Sequence, residues 1–249
     1  IFRLELVSGA TTNVIEFCEI SRKSNTTDFG DVSSSLNGQT ASATLSNNTR
    51  SVFAGGSVSS GGDRNNIEYI TIATTGDSTD FGDLTIGRDS FGTVSSPTRG
   101  VFSMGRTSNG DYADNVMDYI TIASTGNATD FGDMSVVRIS ADGCSSNTRG
   151  VFMGGYNASF GSDYITIATT GNATDFGDLT NHGTGGATSN GTKGVFSFAV
   201  ENSFSPDSAD TNTIVKITIA STGNATDFGD AATNTGTQVL ATSDSHGGI

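Results

Sequence analysis

The sequence predicts an all-β protein: a five-bladed β-propeller of four-stranded antiparallel blades, with about 50 residues per blade. Three observations carry this. First, one phrase recurs: "YITIATTGDSTDFGD" at 69–83, "YITIASTGNATDFGD" at 119–133, "YITIATTGNATDFGD" at 164–178 and "ITIASTGNATDFGD" at 217–230, with a diverged copy, "FCEISRKSNTTDFGD", at 17–31. Second, its phenylalanine falls at Phe29, Phe81, Phe131, Phe176 and Phe228, at intervals of 52, 50, 45 and 52 residues. Third, no repeat holds a helical run, so a period near 50 points to propeller blades before any helical solenoid.

A second phrase keeps the same period: "NTRSVF" at 48–53, "PTRGVF" at 97–102, "NTRGVF" at 147–152 and "GTKGVF" at 191–196. The chain opens on Ile1-Phe2 and closes on "SHGGI", which reads as a worn copy of "TRGVF". One domain thus divides into repeats 1–50, 51–99, 100–149, 150–193 and 194–249. Within a repeat, "RGVFMGG" (149–155) is a short β-rich run ended by glycines. "DYITIAS" (118–124) alternates, with Ile120 and Ile122 on one face and Tyr119, Thr121 and Ala123 on the other, which is the period of a strand. "TGNAT" is a Gly-Asn turn. "TDFGDMSVV" gives a third strand, and the stretch before "NTR" a weak fourth. Each blade then has an apolar face that only a neighbouring blade can cover.

The repeated side chains have structural tasks. Phe29, Phe81, Phe131, Phe176 and Phe228 are the anchors wedged between blades. Asp28, Asp80, Asp130, Asp175 and Asp227 are placed to accept turn amides, as aspartates do in Asx-turns. Asp31, Asp83, Asp133, Asp178 and Asp230 follow three residues later. One Ca²⁺ per blade is a weaker reading, because two carboxylates three residues apart lack the further oxygen ligands of an EF-hand loop. No metal and no other cofactor is expected. Arg50, Arg99, Arg149 and Lys193 are expected to pair with the repeated carboxylates at blade junctions.

Composition narrows the function. The chain has 249 residues, 26 acids against 12 bases, and a formal charge of −14. Without a basic cluster it offers no counterion-releasing surface to nucleic acid or to an anionic membrane. It has no apolar run of membrane-spanning length and no signal-peptide pattern at Ile1. Cys18 and Cys144 occupy unrelated places in their repeats and read as small hydrophobes, not a disulfide. The Asn-x-Ser/Thr sites at Asn25, Asn47, Asn127, Asn157, Asn172, Asn190 and Asn224 fall mostly in the repeated turn, where asparagine has a backbone role.

The order of a hydrophobic strand ending in Gly-Gly, an aromatic-led second strand and an aromatic third strand resembles the kelch repeat. Gly55-Gly56 and Gly154-Gly155 match its double glycine, and Tyr69, Tyr119 and Tyr164 its second-strand aromatic. Phe81, Phe131 and Phe176 stand where kelch repeats usually have tryptophan, and Arg88 and Arg138 stand near the kelch arginine. Met104-Gly105, Phe198-Ala199 and Leu4-Glu5 depart from the glycine doublet. The resemblance implies the fold, not a partner. More narrowly, "DYITIATTGNATDFGDLT" followed by "TRGVF" resembles repeats of virion structural and tail proteins of marine bacteriophages, cyanobacterial ones especially. That resemblance implies a virion-surface component with other virion proteins as partners.

The repeats also differ from one another in a patterned way. The turn "TGNAT" and the junction "TRGVF" share one face of the ring and hardly vary. The opposite face carries loops of changing length: 57–66, 106–115, 156–162 and 201–212. Variable loops on a rigid scaffold are where recognition usually resides. Arg64, Tyr112, Tyr156, Phe160 and Phe204 are the candidate binding or interface residues, suited to a sugar face or to a neighbouring subunit. The expected function is therefore non-enzymatic: attachment to a host-surface glycan or receptor, as in a tail fibre. The alternative is a capsid decoration, cement or tail-assembly protein. A glycan-active propeller comes third; it would need carboxylates in its central channel. No catalytic residue is assigned: His182 and His246 lie in different repeats, and no nucleophile or metalloprotease motif occurs.

Overall fold

The computed structural model describes residues 2–3, 13–18, 25–33, 43–58, 62–107, 115–155, 161–180, 183–201 and 212–232. They form a β-propeller with no helix, in which four sheets each have four antiparallel strands. The first of these contains β4 (Ala43–Ser46), β5 (Arg50–Ala54), β8 (Asn66–Thr71) and β9 (Thr79–Asp83), with a small ribbon, β6 (Ser57–Val58) and β7 (Gly62–Asp63), on its loop. The next contains β10 (Thr93–Ser95), β11 (Arg99–Phe102), β12 (Val116–Thr121) and β13 (Thr129–Asp133). Then come β14 (Asp142–Ser145), β15 (Arg149–Met153), β16 (Gly161–Thr166) and β17 (Thr174–Asp178). The last has β18 (Gly183–Ser189), β19 (Lys193–Glu201), β20 (Thr213–Thr218) and β21 (Thr226–Asp230). The first repeat contributes a three-stranded sheet of β1 (Phe2–Arg3), β2 (Val14–Phe17) and β3 (Thr27–Asp31). The expectation of five four-stranded blades is corrected to four among the described residues.

The sequence repeat and the sheet are out of phase. The weak strand before each "NTR" does not close the repeat it follows; it opens the next sheet, pairing with the strand after the turn, as Leu45 does with Val52 and Cys144 with Val151. The reason is local. In "SNNTR" the Asn47 side chain accepts the N–H groups of Thr49 and Arg50, folding β4 directly back onto β5. The opening strands are innermost: β10 lies against β4 and β14, and β14 against β18. Side chains stitch them together. Ser95 Oγ donates to the Ser46 carbonyl (3.1 Å), Ser145 Oγ to that of Ser95 (3.0 Å) and Ser189 Oγ to that of Ser145 (2.7 Å).

Blade-to-blade packing explains the recurring apolar residues. Phe81 packs in one cluster with Ile122 and Ala128 of the next repeat, Phe131 with Ile165 and Ile167, and Phe176 with Ile219 and Ala225. Within its own sheet each phenylalanine meets the aromatic of the neighbouring strand edge-on: Phe17–Phe29, Tyr69–Phe81, Tyr119–Phe131 and Tyr164–Phe176, with centroids 5.8–6.1 Å apart. Burying one such ring contributes about 1.5–3 kcal/mol. Phe228 is a correction to the anchor assignment. It is 58 % exposed, because no described blade follows β21 to cover it.

Candidate functional site

The repeated residues build the joints between blades. The hairpin of each repeat from the second to the fifth adds to the outer edge of the preceding sheet. Gly126 N–H donates to the Phe81 carbonyl (2.7 Å) and Ala128 N–H to that of Asp83 (2.8 Å), while Asn127 Oδ1 accepts the Asp83 N–H (3.1 Å). Asn172 and Asn224 do the same for Asp133 and Asp178, and Asp77 does it for Asp31. The glycines of "FGD" are required here. Gly132 has φ +135°, and a Cβ on it would lie 2.5 Å from the Gly171 carbonyl group. The first aspartate of the phrase caps the same bend: Asp28, Asp130 and Asp227 accept the N–H of Gly30, Gly132 and Gly229 at 3.1–3.2 Å. Asp80 and Asp175 hold the same place in β9 and β17.

The repeated cations form a second joint, and not the expected one. The guanidinium carbons of Arg50, Arg99 and Arg149 stand over the rings of Tyr69, Tyr119 and Tyr164, 4.2–4.3 Å from the centroids. Each donates to a main-chain carbonyl of the following blade: Ile122 (2.8 Å), Ile167 (3.1 Å) and Ile219 (3.0 Å). Lys193 bonds the Thr218 hydroxyl. Buried arginine–aspartate pairs do join the blades, but between residues outside the repeated carboxylates. The Arg88–Asp118 and Arg138–Asp163 pairs bridge adjacent blades at 3.0 and 2.9 Å, with all four side chains at most 1 % exposed. A β-bulge before each aspartate aims it at its partner. Asp118 also accepts from the Thr85 hydroxyl (2.6 Å) and Asp163 from that of Ser135 (2.5 Å). Burial pulls the Arg88 and Arg138 guanidiniums below their ordinary value, and the paired carboxylates oppose that pull. These are structural ion pairs, enclosed between the blades.

At the inner strands, Asp142 accepts N–H groups from Ala187 (2.8 Å) and Gly143 (2.7 Å), and burial still pushes its carboxyl up to about 6. Cys144 beside it is buried and free, as is the half-buried Cys18, and burial pushes the Cys144 thiol up. A shallow pocket of about 280 Å³ lies on the hairpin side, among Tyr69, Thr71, Thr74, Thr75, Asp77 and Thr79. It belongs to the frame. No group of three or more metal-ligating side chains occurs among the described residues, and none of their helices crosses a membrane because there are none.

What remains is the opposite face, formed by the loops between the second and third strands of each blade and those leading to the next blade. Of the predicted residues, Tyr112, Tyr156, Phe160 and Phe204 lie outside the described residues. Arg64 is half-buried, held by main-chain bonds from its N–H to Gly56 (2.8 Å) and from the Arg88 N–H to its carbonyl (3.2 Å). Its Nε is buried without a partner among the described residues. The structure adds residues that sequence reasoning passed over. Asp89 and Arg106 exchange main-chain bonds of 2.9 Å and form an ion pair of 2.8 Å, leaving the Arg106 side chain 52 % exposed. The bond to Asp89 raises the guanidinium above its ordinary value. Ile86, Val136 and Val137, in the loops that follow β9 and β13, are 36–39 % exposed. Their signal in sequence was present: "TIGRDS" and "SVVRIS" place apolar residues just before a buried arginine, where no strand needs them. These groups supply the described part of that face with an exposed cation, held by Asp89, and with exposed aliphatic side chains.

No family model and no curated protein matches the chain. Among solved structures, the structure of YjhT is similar, with a TM-score of 0.68 at 8 % identity over 87 % of this chain and 77 % of that one. At that identity the likeness shows the propeller fold alone.

Proposed function

We propose that the chain is a non-enzymatic display module of a bacteriophage particle, a five-bladed ring with the first repeat as its fifth blade. It binds a host-surface glycan or receptor through its variable-loop face. One observation carries the reading: the main chain and the asparagine of the repeated phrases are engaged in joints between blades, whereas the loops of the opposite face are the parts that differ between repeats. The phage assignment rests on the resemblance of the repeated phrase to virion proteins, and the virion surface is the location that follows from it. The exposed Arg106 and the loop aromatics Tyr112 and Tyr156 suit sugar hydroxyls and a sugar face. Binding of the purified chain to a glycan array and to intact cyanobacterial cells tests the proposal; a folded, monodisperse chain that binds neither would refute it.

The exposed Ile86, Val136 and Val137 favour a second reading, a decoration or cement protein whose loops meet other virion proteins. In that case these three side chains become protected from solvent in the assembled particle, and the isolated chain binds no cell.

A further inference from the structure

We infer that the outer edge of β21 is an unfilled half of the hairpin joint, and that its occupant is the first repeat of the same chain, through Asn25 and Thr26. The inference rests on the five-blade reading and deepens it, by naming the contact that closes the ring.

The edge is built like its filled counterparts. Gly229 has φ +142°, within the +135° to +148° range of Gly30, Gly82, Gly132 and Gly177. A Cβ on any of those four would meet the carbonyl group of a hairpin glycine at 2.3–2.6 Å, whereas one on Gly229 meets nothing within 4 Å among the described residues. The phenylalanines tell the same story: Phe29, Phe81, Phe131 and Phe176 are 2–5 % exposed and Phe228 is 58 % exposed. β21 therefore holds the bent backbone of the joint with its acceptors, the Phe228 and Asp230 carbonyls, and its donor, the Asp230 N–H, on an open edge.

The complementary half is at the other end of the chain. Asn25 and Thr26 precede Thr27–Asp31 as Asn127 and Ala128 precede Thr129–Asp133, and both are exposed. The four described hairpins, at Gly76, Gly126, Gly171 and Gly223, hold β3, β9, β13 and β17, so β21 is the outer strand left unheld among the described residues. Carried over from the four filled joints, the contact has Thr26 N–H donating to the Asp230 carbonyl and Asn25 Oδ1 accepting the Asp230 N–H. Phe228 then lies beneath the first sheet.

The chain has no tryptophan, so Phe228→Trp supplies a single reporter, with Phe176→Trp as the buried reference. Ring closure predicts matching, water-shielded emission at every protein concentration, shifted to a solvent-exposed position by Asn25→Ala with Thr26→Pro. Solvent-like emission throughout, or shielding unaffected by those changes, overturns the inference. Shielding that appears only as concentration rises overturns it in favour of a second copy. Hydrogen exchange on the unaltered chain is an independent readout. The Asp230 amide should match that of Asp178 and lose about tenfold protection in Asn25→Ala. Fast exchange at Asp230 beside a protected Asp178 refutes closure. Glycan or cell binding is unaffected by either result, so failure of the display reading is scored separately.

Discussion

The Asn127 side chain accepts the main-chain N–H of Asp83, a residue of the preceding blade, at 3.1 Å. The same bond links Asn172 to Asp133 and Asn224 to Asp178. A residue that looks like ordinary turn chemistry in the sequence thus ties one sheet to the next. Replacing Asn172 by Ala is expected to cost about 1 kcal/mol, which for a domain of this size lowers Tm by about 2–4 °C. Calorimetry on Asn172→Ala checks it.

The glycines of the joint separate backbone strain from steric fit. Gly132→Ala drives a methyl group into the Gly171 carbonyl, whereas a Cβ on Gly126, with φ +154°, meets nothing within 4 Å. Both substitutions strain the backbone, so Gly132→Ala should be the more destabilising by several kcal/mol. Denaturant midpoints of the two variants test this, and equal losses would deny the close approach.

The Arg138–Asp163 pair joins two blades with both side chains 1 % exposed. Asp163→Ala alone leaves a buried cation and is expected to cost about 3–5 kcal/mol, while Arg138→Met with Asp163→Val should recover most of it. The chain already holds the aspartate half of that change. Val215 occupies the bulge position in β20 that Asp118 and Asp163 fill in β12 and β16. Urea denaturation of the single and double variants measures the difference.

Asp142 gives a pH dependence of known sign. Its folded carboxyl titrates at about 6 against 3.8 for the free group, chiefly from burial. A folded pKa above the unfolded one means that its contribution to stability is fully present below about 4 and is lost as pH rises through about 6. Asp142→Asn removes that contribution to the slope. The gap in Tm between the unaltered chain and the variant should therefore change between pH 4 and pH 7, favouring the unaltered chain at the acid end.

Much of the fold was legible because propeller blades repeat their demands. The alternation in "DYITIAS" and the even spacing of Phe81, Phe131 and Phe176 are direct traces of strands and of inter-blade burial. The phase of the sheet was not legible. Whether residues 142–145 close one blade or open the next depends on pairing across the short turn at 146–148, and strand pattern alone does not decide that. The partner of Arg149 was equally hidden: carboxylates are the nearest opposite charges in sequence, but the fold lays the guanidinium on Tyr164 and against the Ile219 carbonyl. At the variable face, Arg64 was visible as a charge in a variable loop. Asp89 and Arg106 were not, since 17 residues of chain separate two groups that the fold brings to 2.8 Å.

The central claim is that the repeated words hold the ring together and the differing words make the contact. The most direct measurement compares binding to intact cyanobacterial cells for the unaltered chain, Asn172→Ala and Tyr112→Ala/Tyr156→Ala, at a temperature where all three are folded. The tyrosine variant is expected to lose binding, while the asparagine variant, less stable, binds as before. Binding that survives loss of the tyrosines but fails in Asn172→Ala would place recognition on the hairpin side and contradict that claim.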